Sequence, residues 1–137
     1  MYSAAKQRSF IKFNMDNVEC ICNPCFLEIW MGKLPDSSGS VQSGNRPLLI
    51  VSNDKNNKFS PNVNVMPLTT KINKRNLPCH VVLENFREFG LTAPSTIMVE
   101  QLTTVPKENL LYKMGKIENK ETLTQIYRAM QIQFPFI

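Results

Sequence analysis

The chain has no apolar run approaching the roughly 18 residues that a membrane helix requires. Its N-terminus also lacks the apolar core, about 7 to 15 residues long, of a secretory signal. No membrane partner is expected, and a cytoplasmic location is. Without export, the four cysteines, Cys20, Cys22, Cys25 and Cys79, are expected to be reduced thiols rather than a disulfide framework. Cys22 and Cys25 have the two-residue gap of a zinc knuckle, with Cys79 and His80 as distant ligands. A second CxxC and any HxxxH are missing, however, so a turn at Asn23-Pro24 with incidental thiols is the better reading. No metal and no cofactor is expected. Histidine occurs once, at His80, and a lone histidine is more often structural than catalytic. Acidic residues are scarce between Asn53 and Arg75, where Lys55, Lys58, Lys71, Lys74 and Arg75 face Asp54 alone. With a formal net charge of +5, a polyanionic partner is electrostatically favoured.

What is present suits one domain with a modest core: 137 residues, 42% of them apolar. Residues 1–26 mix basic residues with scattered Phe10, Ile11, Phe13 and Val18 without helical or strand periodicity, and read as an N-terminal extension to a domain spanning 27–137. Glu28 to Leu34 reads as a strand ended by the breaker Pro35-Asp36-Ser37-Ser38-Gly39. The run between Pro47 and Asn53 has the length of a strand buried on both faces. Asn62 to Thr69 reads as a third strand, entered from the Ser60-Pro61 turn and ending in hydroxyls. Shorter strands follow at Cys79 to Leu83, Thr96 to Val99, Leu102 to Val105 and Tyr112 to Ile117. Asn119 to Gln131 is a helix with Asn119 as its N-cap and Leu123, Ile126, Tyr127 and Met130 on one stripe. Many short strands and one late helix predict a mainly β fold, a compact antiparallel barrel with a C-terminal α-helix.

Several pieces then fall into a recognisable order: Glu28-Ile29-Trp30, Gly39-Ser40-x-Gln42, Gly44-x-Arg46-Pro47-x-Leu49-Ile50-Val51-x-Asn53, Ser60-Pro61, Leu68-Thr69, Leu77-Pro78-x-His80-Val81 and Val99-Glu100-Gln101-Leu102. Over about residues 27–133 they resemble the MazF/PemK family of toxin endoribonucleases from type II toxin–antitoxin systems. The resemblance implies an SH3-like, CcdB-type barrel, a homodimer, sequence-specific cleavage of single-stranded RNA, and neutralisation by a cognate MazE/PemI-like antitoxin. It implies catalytic roles for Arg46 and Thr69. RNA contacts would come from Ser40, Gln42, Asn45, Thr70, Lys71, Lys74, Arg75, Leu77 and Gln101. Two positions depart from the family pattern: Leu27 stands where a glycine usually precedes the first strand, and Val41 where an acidic residue is common.

RNA carries its own nucleophile, the 2′-hydroxyl, so cleavage needs alignment, proton management and stabilisation of charge on the phosphoryl oxygens. A guanidinium suits the last task because it is planar, always protonated and binds two phosphate oxygens at once. Thr69 can hold the phosphate through its hydroxyl. Glu100 and His80 are the remaining candidates for proton transfer. The products implied are a 2′,3′-cyclic phosphate and a 5′-hydroxyl. Two other classes stay open: a non-enzymatic CcdB-type toxin that binds DNA gyrase, and a catalytically silent nucleic-acid- or protein-binding barrel. A gyrase binder has no need of the Arg46–Thr69 pair.

Overall fold

A computed structural model describes residues 23–37, 39–71 and 77–137. Most of the expected extension, with Cys20 and Cys22, and the basic residues Lys74 and Arg75 lie outside the described residues. The described residues form seven strands and two helices. In chain order they are β1 (Glu28–Leu34), β2 (Gly44–Ile50), α1 (Asp54–Phe59), β3 (Asn62–Thr69), β4 (His80–Leu83), β5 (Ser95–Met98), β6 (Thr103–Pro106), β7 (Leu110–Lys116) and α2 (Lys120–Gln133). Short 3-10 turns occupy Phe86–Phe89, Val99–Gln101 and Lys107–Asn109.

All strand pairs are antiparallel, in the order β4-β5-β3-β2-β1-β7, with β6 also beside β3. The mainly β fold with a C-terminal helix is as expected, although no ladder among the described residues joins β4 to β7, so the sheet stays unclosed. Strand β3 is its spine. One side pairs with β2, and the other is covered first by β6, with Thr103 opposite Val65, and then by β5, with Ile97 opposite Leu68. The turn Val99–Gln101 interrupts what is in effect one bent strand and throws Glu100 and Gln101 out of the ladder.

Strand β2 begins at Gly44, ahead of Pro47, because Gly44 to Arg46 pair with Leu34 to Gly32 of β1. Its ladder with β3 stops at Leu48 opposite Pro67. Each strand carries a proline there, Pro47 and Pro67, with no N–H to extend the pairing.

Alternation along β1, β2 and β3 feeds two cores. Ile29, Leu49, Met66 and Leu68 join Val81, Ile97, Ile117 and the helix residues Ile126 and Ala129 on one face. Leu34, Leu48, Ile50, Val63, Val65 and Val105 form a smaller cluster on the other, with Trp30 and Leu110 against it. The central strands are therefore buried on both faces, as the run after Pro47 predicts.

Helix α1 is absent from the sequence reading, which treats its segment only as basic. Asn53 caps it, accepting from the Asn56 amide at 2.8 Å. Lys107 Nζ caps the far end through Asn57 O at 2.7 Å. In α2, Asn119 accepts from the Thr122 amide at 2.7 Å, as expected of an N-cap. The buried stripe centres on Thr122, Ile126 and Ala129 rather than on Tyr127, which is 54% exposed because it lies about 100° round the helix from Ile126.

Two backbone features need special residues. Leu27 has φ 73°, the sole non-glycine in the left-handed region among the described residues, at the position where the family resemblance expects glycine. It is held there from both sides, its N–H donating to Ile50 O at 2.8 Å and its carbonyl accepting from Ile117 N at 2.9 Å. Gly90 and Gly115 let the Phe86–Phe89 turn lie backbone against backbone on β7: a Cβ on Gly115 would stand 2.1 Å from Phe89 O.

Candidate active site

Arg46 projects from β2 just past the last rung of the β2–β3 ladder. Continuing that register beyond Leu48 and Pro67 brings it level with Thr69 at the end of β3. Residue alternation puts both on the side of the smaller core, and Gly32 of β1 lies opposite Arg46. The guanidinium reaches across: Nη1 donates to Leu68 O at 3.4 Å and Nε to Ser43 O at 3.1 Å. Both partners are neutral carbonyls, and no described carboxylate pairs with Arg46. A surface ion pair is thereby excluded among the described residues, and the full cationic charge stays available to an anion.

Thr69 is 8% exposed. Its Oγ1 accepts from the Lys71 amide at 3.2 Å, a local turn that fixes the rotamer and leaves the hydroxyl hydrogen free to donate. Thr70 and Lys71 follow it as exposed residues.

The loop leading into β2 lies against the same end of the sheet. Gln101 grips it with its carboxamide: Oε1 accepts from the Gln42 amide at 2.7 Å, and Nε2 donates to Ser40 O at 3.0 Å. Ser37 Oγ donates to Val41 O at 2.7 Å. Arg46, Thr69, Ser40, Gln42 and Gln101 are thus gathered by backbone and side-chain contacts. Asn45 is exposed on β2, and Leu77 is 46% exposed three residues before β4. Lys74 and Arg75 fall outside the described residues.

His80 and Glu100, both considered for proton transfer, are engaged with each other. His80 Nε2 lies 3.0 Å from Glu100 Oε2, and the histidine side chain is only 6% exposed. Its Nδ1 accepts from the Leu77 amide at 3.3 Å, which assigns the ring hydrogen to Nε2 and makes Glu100 the acceptor. Cys79 Sγ donates to the other carboxylate oxygen at 3.5 Å. Burial, reinforced by the Glu100 charge, pushes the Cys79 thiol up, so it stays protonated. The three donors come within 4.8 Å of one another. With the Nδ1 lone pair spent on Leu77 and the Nε2 hydrogen on Glu100, the imidazole has no lone pair left for a cation. Cys25, part of the zinc reading, bonds instead to Asn23 O. Neither the His80–Glu100 pair nor the Gln101 grip could be read from sequence, since their partners are 20 residues apart in one case and about 60 in the other.

Comparison with known proteins gives this geometry a context. Residues 26–134 match the model of the PemK-like, MazF-like toxin of type II toxin–antitoxin systems. The chain is 34% identical over 110 residues to the endoribonuclease EndoA of Bacillus subtilis, covering 80% of this chain and 93% of that one. Among solved structures, MazF from Deinococcus radiodurans superposes with a TM-score of 0.68 at 14% identity, over 83% of this chain and 98% of that one. A mycobacterial endoribonuclease in complex with its cognate antitoxin superposes at 0.62 with 22% identity, over 83% and 97% of the two chains. The match across nearly all of the described sheet, with Arg46 and Thr69 brought together at one end, shows that the chain belongs to the PemK-like, MazF-like toxin family of type II toxin–antitoxin systems.

Proposed function

We propose that this chain is an endoribonuclease toxin that cuts single-stranded RNA by attack of the ribose 2′-hydroxyl on the adjacent phosphate, without a metal. The observation that carries the reading is the Arg46 guanidinium, free of any described carboxylate, held at the end of β3 beside Thr69. Arg46 binds the phosphoryl oxygens and stabilises the charge that grows on them. As the 2′-oxygen bonds to phosphorus and the bond to the 5′-oxygen breaks, the 2′-hydroxyl proton goes to water, while Arg46 can pass a proton to the leaving 5′-oxygen and regain it from water. Thr69 donates its hydroxyl to the same phosphate and fixes its position. Ser40, Gln42, Asn45, Thr70, Lys71, Lys74, Arg75, Leu77 and Gln101 supply RNA contacts. Unstacked bases are needed for such contacts, because an A-form duplex hides its sequence in a deep groove. On this reading the toxin domain is 27–137, it acts in the cytoplasm as a homodimer, and a cognate antitoxin covers the same surface.

The test is incubation of the purified protein with a long single-stranded RNA in EDTA, with cut ends mapped and their termini identified. Discrete cuts ending in 2′,3′-cyclic phosphate and 5′-hydroxyl are expected. Ends carrying 3′-hydroxyl and 5′-phosphate, or intact RNA, would overturn the proposal.

His80 is structural on the same reading, so His80→Gln, which keeps a donor toward Glu100, should leave the cutting rate within about tenfold of the parent. Loss of a general acid or base removes roughly a hundredfold or more. A drop of that size, with the melting temperature unchanged, would return His80 to the catalytic set.

A further inference from the structure

We infer that Gln101, beyond its expected RNA contact, is a positioning residue that sets the shape of the 39–44 loop and, through it, which RNA bases the site accepts. The inference rests on the endoribonuclease reading for its specificity part and on geometry alone for the rest. The Gln101 carboxamide bonds to Ser40 O and to Gln42 N, the carbonyl and amide on either side of Val41. It thereby imitates the partner residue of an antiparallel rung. Val41 is left pointing outward, 63% exposed, at the loop tip.

The other attachments of the loop make this clamp the decisive one. Gly39 and Gly44, with φ 67° and 78°, turn the chain at its two ends in a conformation that glycine adopts without strain. Ser37 ties the loop only to the residues that lead into it. Apart from the flanking strands, the side-chain ties to the body among the described residues are Gln101 at the tip and Arg46 Nε on Ser43 O at the base. The Arg46 tie means that a loop released at its tip also loosens one of the two contacts that aim the guanidinium. Gln101 itself is fixed, because the 3-10 turn that bears it follows directly from β5. Its neighbour Glu100 is anchored on the other side by His80. That histidine in turn accepts from Leu77, at the end of the second loop expected to touch RNA. One short turn is therefore tied to Ser40 and Gln42 on one side and, through His80, to Leu77 on the other.

Two variants test this role, and exchange in the free protein reads the clamp apart from any Gln101–RNA contact. Gln101→Met keeps the volume and removes both hydrogen bonds. Gln101→Glu keeps the acceptor for Gln42 N but sets a carboxylate oxygen against Ser40 O. Amide hydrogen exchange of the free protein is read first. At Gln42 it should quicken roughly tenfold in Gln101→Met and by less in Gln101→Glu. Cut sites on a long RNA are then mapped: Gln101→Met should add sites that the parent ignores, with the loss at the preferred site falling mainly on KM. Unchanged exchange at Gln42 in Gln101→Met would overturn the clamp. Faster exchange with an unaltered set of cut sites would overturn its control of base choice. If the parent protein cuts no RNA, the function proposed above fails, while the exchange result still decides the clamp.

Discussion

Arg46→Ala should slow RNA cleavage by roughly a thousandfold, equivalent to about 4 kcal/mol of transition-state stabilisation. The size follows from where the guanidinium sits. It is held against backbone carbonyls, with no described carboxylate to absorb its charge, so the developing negative charge on phosphorus finds a cation already in position. Arg46→Lys should recover only part of the rate, since an ammonium is a point charge and cannot hold two oxygens in one plane. The structural cost should be small by comparison. The side chain is partly exposed and gives up two hydrogen bonds, about 1 kcal/mol in all, or a fall in melting temperature of roughly 3 to 5 °C. Initial rates on a defined single-stranded substrate, read beside a melting curve, check both halves. An alanine variant that cuts within tenfold of the parent would remove Arg46 from the chemistry.

A large loss of stability is expected from Gly115→Ala, whose new Cβ would stand 2.1 Å from the carbonyl oxygen of Phe89 and 2.5 Å from its carbon. These are backbone atoms and cannot rotate aside. Phe89 is itself buried in the larger core, so the turn that carries it cannot retreat without opening a gap. A loss of about 4 kcal/mol is expected, a large share of the roughly 5 to 15 kcal/mol by which a domain is stable, with a melting temperature lower by about 10 to 20 °C. Gly32→Ala is the internal comparison. Its Cβ would meet the side-chain tips Leu48 Cδ1 at 2.6 Å and Leu110 Cδ2 at 3.2 Å, which can shift, so about 1 to 2 kcal/mol is expected. A melting temperature for Gly115→Ala equal to or above that of Gly32→Ala would show that the turn and β7 are not packed as described.

Legibility in the sequence tracked how local each feature's cause is. The end of β1 and the start of β3 are readable because the breakers Pro35-Asp36-Ser37 and Ser60-Pro61 lie beside them in the chain itself. Helix α1 was not, since Asp-Lys-Asn-Asn-Lys-Phe has no apolar stripe and weak helix formers. It is held by distant groups instead, with buried Asn57 bonded to Ser52 and Lys107 closing its last turn. Tyr127 looked like core because the stripe's centre cannot be fixed from spacing alone. At the site, Arg46 and Thr69 were named through family resemblance, and each alone would pass for an ordinary strand residue. Their meeting depends on a register that the two prolines terminate, which is visible only once the strands are paired. The engagement of His80 with Glu100 fits the structural reading of a lone histidine, but its partner lies 20 residues away and emerges only in the fold.

The pairing of β1 with β7 joins segments from nearly opposite ends of the described chain, with Glu28 opposite Lys116. During synthesis, therefore, β1, β2 and β3 can assemble soon after they leave the ribosome, but the outer edge of β1 waits for the last strand. Until then a row of unpaired amides and carbonyls is open to other chains. Chains released before Leu110 would keep that edge bare, so premature termination should yield fragments prone to proteolysis or aggregation rather than partial activity.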